Sequence, residues 1–315
     1  MVKIAVIGVG SMGKNHARVY SEMSNVELIG VVDNDGEVGR NIAGKFDTSF
    51  FSDYKDVINN VDAVSIAAPT KFHHGIAMDF LNKGIDVLLE KPITLNLDEA
   101  DELIEIAGKN NLILQVGHIE RFNPAIIELK NFVNTDNIVS IEANRIGPFG
   151  ARITDAGVVL DLMIHDIDII LSLINDEIES VNAYGKKVKS KHEDFAIALM
   201  KFKNGNIANL TASRITQKRE RTLKITQRDN YIIADYMNKI LELHKQAKSE
   251  YITEDKNVKY IYSDVVEKPY ISQAEPLKLE LQSFIDCVKT REKPIVDGKA
   301  GRNALDVALK IINKI

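Results

Sequence analysis

The chain has 315 residues, 45% of them hydrophobic and 27% charged, with a formal net charge of -5. That length points to about two domains, each long enough to bury its own core, and the composition excludes a disordered chain. The acidic balance argues against nucleic-acid or anionic-membrane partners, the single cysteine rules out an internal disulfide, and no apolar run reaches the ~18 residues of a membrane helix, so a small-molecule partner and a cytoplasmic location are expected.

The first element is the apolar run at 3–8, read as a strand rather than an export signal because it is short and has no cleavage-site pattern after it. Runs at 26–33, 62–69, 85–90 and 112–117 are apolar nearly throughout, as parallel strands covered on both faces are, and helical spacing appears between them at 74–82 and 97–109. Strand and helix in alternation predict βαβ units and a doubly wound sheet. Beyond residue 117 the texture changes. A helix is predicted at 123–133, a strand at 138–146, a loop at GPFG and a long helix at 158–174. The strand-like runs SVNAYGKKV, FAIALMKFKNG, NIANLTASR and RTLKITQ follow, joined by tight turns, and helices close the chain at 276–290 and 301–313. The expected fold is α/β: a Rossmann domain over 1–120 with a doubly wound parallel sheet, then an α+β domain over 121–315 with an open, mainly antiparallel sheet. A crevice between two such domains is a common place for a ligand.

Gly8, Gly10 and Gly13 spell G-x-G-x-x-G, with Ser11 and Met12 inside it, directly after the first strand and before a helix. The first glycine permits the turn, the second lets a pyrophosphate approach the backbone, and the third allows close helix packing. Twenty residues on, Asp33 closes the second strand, where its carboxylate suits an adenosine ribose; Asn34 beside it adds no cation for a 2′-phosphate, so NAD is the expected cofactor. In a doubly wound sheet the carboxyl ends of strands line the ligand crevice. That topology brings Ala68, Pro69, Thr70 and His73 of AAPTKFH, and Glu90 and Lys91 of the EKP that ends the run at 85–90, near the nicotinamide. A partly desolvated lysine there would hold a substrate hydroxyl or move a proton, its pKa tending to fall. The plainer alternatives are a helix cap at Thr70 or His73 and surface charge at Glu90 and Lys91.

The helix VLDLMIHDIDIILSLI places Leu160, Met163, Ile164, Ile167, Leu171 and Ile174 on its core stripe, with Asp161, His165 and Asp168 together beside it and Asp166 pointing elsewhere. Two carboxylates would raise the proton affinity of His165 and fix its tautomer, as a general base requires; a structural polar network is the alternative. No Cys/His cluster supports a metal, and none is expected. Cys287 lies in a helical pattern and reads as a buried small hydrophobe. GHIERFNP offers His118, Glu120, Arg121 and Asn123, and NRIGPFGARITD offers Arg145 and Arg152, as groups that could grip an anionic, hydroxylated ligand. The arginines of SRITQKRER are further candidates.

These residues together resemble the glucose-fructose oxidoreductase, inositol dehydrogenase and rhizopine catabolism family (Gfo/Idh/MocA). The likeness runs over nearly the whole chain: the glycine fingerprint, A-x-P-T followed by His73, E-K-P, and D-x-x-x-H-x-x-D at Asp161, His165 and Asp168. It implies an NAD-binding Rossmann domain, homo-oligomers (dimer or tetramer) formed through the open sheet of the second domain, and oxidation of a sugar or cyclitol hydroxyl. It also implies that Lys91 and His165 are catalytic, with Asp161 beside them, and that Pro92 follows a cis peptide bond. Within the family, VGHIERFNPAI and RIGPFGARITDAGVVLDLMIHDID look most like the members that oxidise the C3 hydroxyl of the nucleotide sugar UDP-N-acetylglucosamine, whose 3-keto product an aminotransferase then uses. Met163 stands where many members have glycine, which would narrow the floor of the sugar pocket. A free pyranose or inositol as substrate, and a non-catalytic NAD-binding regulator, are the alternative readings.

Overall fold

Runs of Val, Ile and Leu too apolar to face water on either side build the first sheet. The computed structural model describes residues 1–150, 156–252 and 258–315. Its first elements are β1 (Val2–Ile7), α1 (Gly13–Ser21), β2 (Val26–Val32), α2 (Gly36–Lys45), β3 (Ser49–Phe51), β4 (Ala63–Ile66), α3 (His73–Leu81), β5 (Asp86–Glu90), α4 (Leu97–Lys109) and β6 (Leu114–Gly117). The strands form a six-stranded sheet in the order β3-β2-β1-β4-β5-β6, parallel throughout. Every residue of β4, β5 and β6 is buried, as strands covered by helices on both faces must be. The order reverses between β1 and β4, so the glycine loop after β1 and the ends of β4 and β5 open at one edge of this sheet.

The next elements are α5 (Pro124–Leu129), β7 (Ile138–Ile146), a π-helical turn (Val159–Met163) leading into α6 (Ile164–Leu173), then β8 (Ile178–Lys186), β9 (Phe195–Phe202), β10 (Ile207–Ser213), β11 (Glu220–Gln227), β12 (Asn230–Asp235), β13 (Ile240–Ile252) and β14 (Val258–Glu267). They give an eight-stranded sheet in the order β14-β13-β12-β11-β7-β10-β9-β8. Its pairs are antiparallel except β7 with β10. Three of its strands, β12 to β14, lie beyond the runs recognised in the sequence. In β9 the side chains of Ala196, Ala198, Met200 and Phe202 are buried while Ile197 and Leu199 are exposed. This period-two pattern covers one face and leaves the other open.

Two last helices, α7 (Pro276–Thr290) and α8 (Gly298–Ile312), close the chain. The compact units are Met1–Phe122 with Ala274–Val307, and Asn123–Gln273 with Ala308–Ile315. Residues 274–307, expected in the second domain, therefore belong to the first. The reason is packing: Leu277, Leu281, Phe284 and Ile285 share a core with Ile4, Val6 and Tyr20, and the Arg291 guanidinium donates to both oxygens of the buried Asp86 carboxylate. In α8, Gly301 lies so close to Val116 that a Cβ there would sit 2.6 Å from its side chain. Cys287 is buried in this core, and burial pushes its thiol pKa up. Among the described residues, no helix is long and apolar enough to cross a membrane.

Candidate active site

The glycine loop takes the form that each of its residues requires. Gly8 has φ +81° and packs so tightly on Ala68 that a Cβ would lie 2.8 Å from its backbone; a Cβ on Gly13 would lie 1.8 Å from the Gly8 carbonyl oxygen. Over Gly10 there is nothing within 4 Å, which leaves room for a pyrophosphate against the main chain. No side chain caps the N-terminus of α1 and no acid stands in its first turn, so its N–H groups remain suited to an anion. Asp33 anchors the loop: Oδ2 accepts from the Val9 N–H at 2.8 Å and Oδ1 from the Asp35 N–H at 2.9 Å. Each oxygen keeps a second lone pair for a ribose hydroxyl, and the negative charge repels a 2′-phosphate. These residues fit NAD. Asn34 is exposed, and Ser11 and Met12 are half-buried.

At the ends of β4 and β5 the side chains are more internal than the sequence suggests. His73, expected beside the cofactor, is fully buried. Its Nδ1 lies 2.9 Å from the Pro92 carbonyl oxygen and its Nε2 2.8 Å from that of Ala68. Burial pushes the ring below its usual pKa, partly offset by those carbonyls and by Glu90. With a carbonyl against each nitrogen, the ring braces the β4 turn against the EKP turn, and neither nitrogen is left for a ligand. Thr70 opens a short 3-10 turn leading into α3, and Pro69 is exposed. The Lys91–Pro92 peptide is cis. Lys91 is half-buried, and its backbone N–H donates to Glu90 Oε2 at 3.2 Å.

Glu90 is not a surface charge. It is 7% exposed, and its Oε1 lies 3.1 Å from Nε2 of His16, whose Nδ1 lies 2.6 Å from the Ser65 hydroxyl. Burial alone would push the Glu90 carboxyl up, but His16 and the charge and N–H of Lys91 hold it below the usual range. His16 and Ser65 are both fully buried, and neither was singled out in the sequence. The one available signal was a histidine among the buried positions of α1, between Gly13 and Ala17.

In the second unit, the turn carrying Asp161 is π-helical, and α6 carries His165 and Asp168. Asp161 and His165 are half-exposed and Asp168 is buried. Leu160 and Leu171, expected in the core stripe, are only half-buried, whereas Ile169 and Ile170 are fully buried, because the wider π turn breaks the 100° spacing on which that stripe was drawn. Met163 is fully buried in the core.

Asp166, on the opposite side of α6 from the others, explains Arg145. The buried Arg145 guanidinium donates to Asp166 from Nε at 2.9 Å and from NH2 at 3.0 Å. The Tyr236 hydroxyl donates to the same carboxylate, and the guanidinium lies 5.3 Å from the Tyr236 ring centroid. Arg145 thus holds α6 to the sheet instead of offering itself to an anionic ligand. Asn123, also expected to bind substrate, caps α5: its Oδ1 accepts from the Ala125 N–H at 3.1 Å and its Nδ2 donates to the Tyr236 carbonyl at 2.9 Å. His118 and Glu120 are buried and Arg121 half-buried. Arg152 lies outside the described residues. Arg214 is locked to Asp194 by its Nε at 2.7 Å. No group of three or more His, Cys, Asp or Glu among the described residues is arranged to hold a metal.

Residues 2–118 match the oxidoreductase family with an NAD-binding Rossmann fold, and residues 138–232 match the GFO/IDH/MocA C-terminal domain. The chain is 33% identical to the UDP-N-acetylglucosamine 3-dehydrogenase of Acidithiobacillus ferrooxidans, over 98% of this chain and 96% of that one. A solved structure of that enzyme superposes with a TM-score of 0.91, covering 100% of this chain and 97% of the other at 32% identity. The myo-inositol 2-dehydrogenase of Thermotoga maritima is 27% identical, over 96% and 93% of the two chains.

Proposed function

Because the chain belongs to the Gfo/Idh/MocA family of oxidoreductases, as an NAD-dependent dehydrogenase acting on a CH–OH group, we propose that its substrate is UDP-N-acetylglucosamine, oxidised at C3 to the 3-keto nucleotide sugar. The observation that supports this reading is the full-length likeness to an enzyme named for that reaction, greater than the likeness to the inositol dehydrogenase.

In this reading Gly8 to Gly13 hold the pyrophosphate, Asp33 holds the adenosine ribose, and Ala68 to Thr70 flank the nicotinamide. Bound NAD supplies the two-electron acceptor for the C3 hydride. His165 takes the proton of the C3 hydroxyl as its oxygen becomes a carbonyl, Lys91 steadies that oxygen through its ammonium group, and Asp161 and Asp168 orient the imidazole. His118, Glu120 and Arg121 are assigned to the sugar, and Arg152 to the diphosphate. A cytoplasmic enzyme of this kind would be followed by an aminotransferase consuming the ketone. We also assign the open face of the eight-stranded sheet, with Tyr184, Ile197, Leu199 and Ile207 exposed on it, to a homo-oligomer contact.

The test is incubation with NAD and UDP-N-acetylglucosamine, with hydroxylamine to trap the ketone, beside free N-acetylglucosamine and myo-inositol. NADH absorbance and a 3-oxime of the nucleotide sugar are expected. NADH from myo-inositol alone would overturn the substrate assignment. His165→Ala and Lys91→Ala should each lower kcat by about 100-fold or more while leaving the Kd for NAD within about threefold; an equal loss of both would remove these roles.

A further inference from the structure

A buried histidine in the first helix of a dinucleotide-binding domain calls for a physical reason, since burying an imidazole without partners costs free energy. His16 has two partners, and they lead to the EKP turn. An ionised Glu90 can only accept, so His16 Nε2 carries the proton and donates to Oε1; Nδ1 then accepts from the Ser65 hydroxyl. The phenol of Tyr20, one turn further along α1 and fully buried, stays protonated: burial pushes its pKa up, with Ser65 offsetting part of the rise. The donors therefore run from Ser65 through His16 toward the Glu90 carboxylate, and this row is buried. Its other end is Lys91, whose backbone N–H and charge both act on Glu90.

We infer that His16 is a positioning residue for the reaction: by donating to Glu90 it keeps that buried carboxylate charged and aimed at Lys91, so that Lys91 meets the substrate oxygen as a fixed ammonium. The inference rests on the role proposed for Lys91 and on no particular sugar. The charged and titratable groups around the row are His16 and Tyr20 on α1, Ser65 on β4, His73 on α3, Glu90 and Lys91 at the end of β5, and Glu280 on α7, which acts on Tyr20.

The experiment compares His16→Leu, which removes both contacts, with His16→Gln, which keeps a donor near the Nε2 position, and with Ser65→Ala. In His16→Leu, kcat for the sugar that the wild type oxidises should fall about tenfold with the Kd for NAD unchanged. Loss of the donor lets the Glu90 carboxyl bind protons more readily, so the acid limb of kcat/KM should move to higher pH. In the cofactor-free protein, acetylation of Lys91 by acetic anhydride, followed by mass spectrometry, should quicken by roughly threefold or more, because a protonated Glu90 no longer holds the ammonium. His16→Gln should restore all three, an outcome that space-filling alone would not produce. A folded His16→Leu protein with unchanged pH profile and unchanged Lys91 acetylation would overturn the inference, as would His16→Gln behaving like His16→Leu. If His16→Leu does not fold, Ser65→Ala decides, with a smaller shift in the same directions expected and no shift overturning it. Lys91 acetylation needs no substrate, so a wild type inert toward UDP-N-acetylglucosamine would remove the substrate assignment and leave this one standing.

Discussion

One methyl group is enough to probe the cofactor loop. An alanine at Gly13 would bring its Cβ within 1.8 Å of the Gly8 carbonyl oxygen, and because that obstacle is main chain the loop itself must shift. Gly13→Ala should weaken NAD binding by more than tenfold and lower Tm by several degrees, as read by calorimetry with and without NAD. An alanine at Gly10, where nothing stands within 4 Å, should leave Tm unchanged and weaken NAD alone. The same scale shows where sequence reading stops. The glycines are legible from their spacing, because a tight turn and close packing are demands on their own backbone. Arg145, Asn123 and His73 could not be assigned that way: Arg145 finds Asp166 on a helix 21 residues on, Asn123 finds Tyr236 across 113 residues, and His73 closes on Pro92 in a turn of another strand. Each was drawn toward a ligand because its polarity was visible while its partner was not.

At the scale of elements, the helix bearing His165 is seated by a hub at the β8–β9 loop. Asp194 Oδ2 accepts the N–H groups of Val188, Lys189 and Ser190 at 2.8, 2.6 and 2.9 Å, and Oδ1 accepts from the Ser190 hydroxyl and from Arg214. Arg214 NH1 donates in turn to the Ala156 carbonyl, and the neighbouring Glu193 receives the Val158 and Val159 N–H groups on its main-chain and side-chain oxygens. The residues that open the π turn are thus tied to this loop. Burial alone would push the Asp194 carboxyl up, but its three backbone donors and Ser190 hold it far below the usual range. A depressed native pKa contributes stability that is complete above the unfolded value near 4 and is lost as pH falls below it. Asp194→Asn should lower Tm by about 5–10 °C at pH 7. Its Tm should then fall less steeply than the wild type's below about pH 4, as thermal melts across pH would show. A constant gap between the two down to pH 2 would disprove the linkage. The sequence predicted a helix here with a base on it, but not the π turn or the loop that fixes its start, since neither leaves a periodic trace.

For the whole molecule, near-continuous apolar runs separated by helical stretches, and then strand-like runs joined by tight turns, sufficed to predict two sheets of different kinds. It did not predict the parallel β7–β10 pair, because strand partners are chosen by side-chain packing across the sheet rather than by sequence order. The open face of the larger sheet carries Tyr184 beside Ile197 and Leu199 beside Asn209, with Tyr184, Ile197, Leu199 and Ile207 exposed, side chains of the kind that chains bury against one another. Leu199→Glu should abolish the self-association proposed for this face, measured by light scattering after gel filtration; a wild type already monomeric would remove the assignment. The helices at 274–307 bear on how the protein is made. They complete the unit that begins at residue 1, with the Val116 N–H donating to the Val296 carbonyl and the Gln115 side-chain amide to that of Glu280. A ribosome delivering the chain from its amino end therefore exposes residues 123–273 in full while the nucleotide-holding half still lacks its closing pieces. The half that is synthesised first is the one that must wait, and its unfinished edge is what a chaperone would have to guard in the interval.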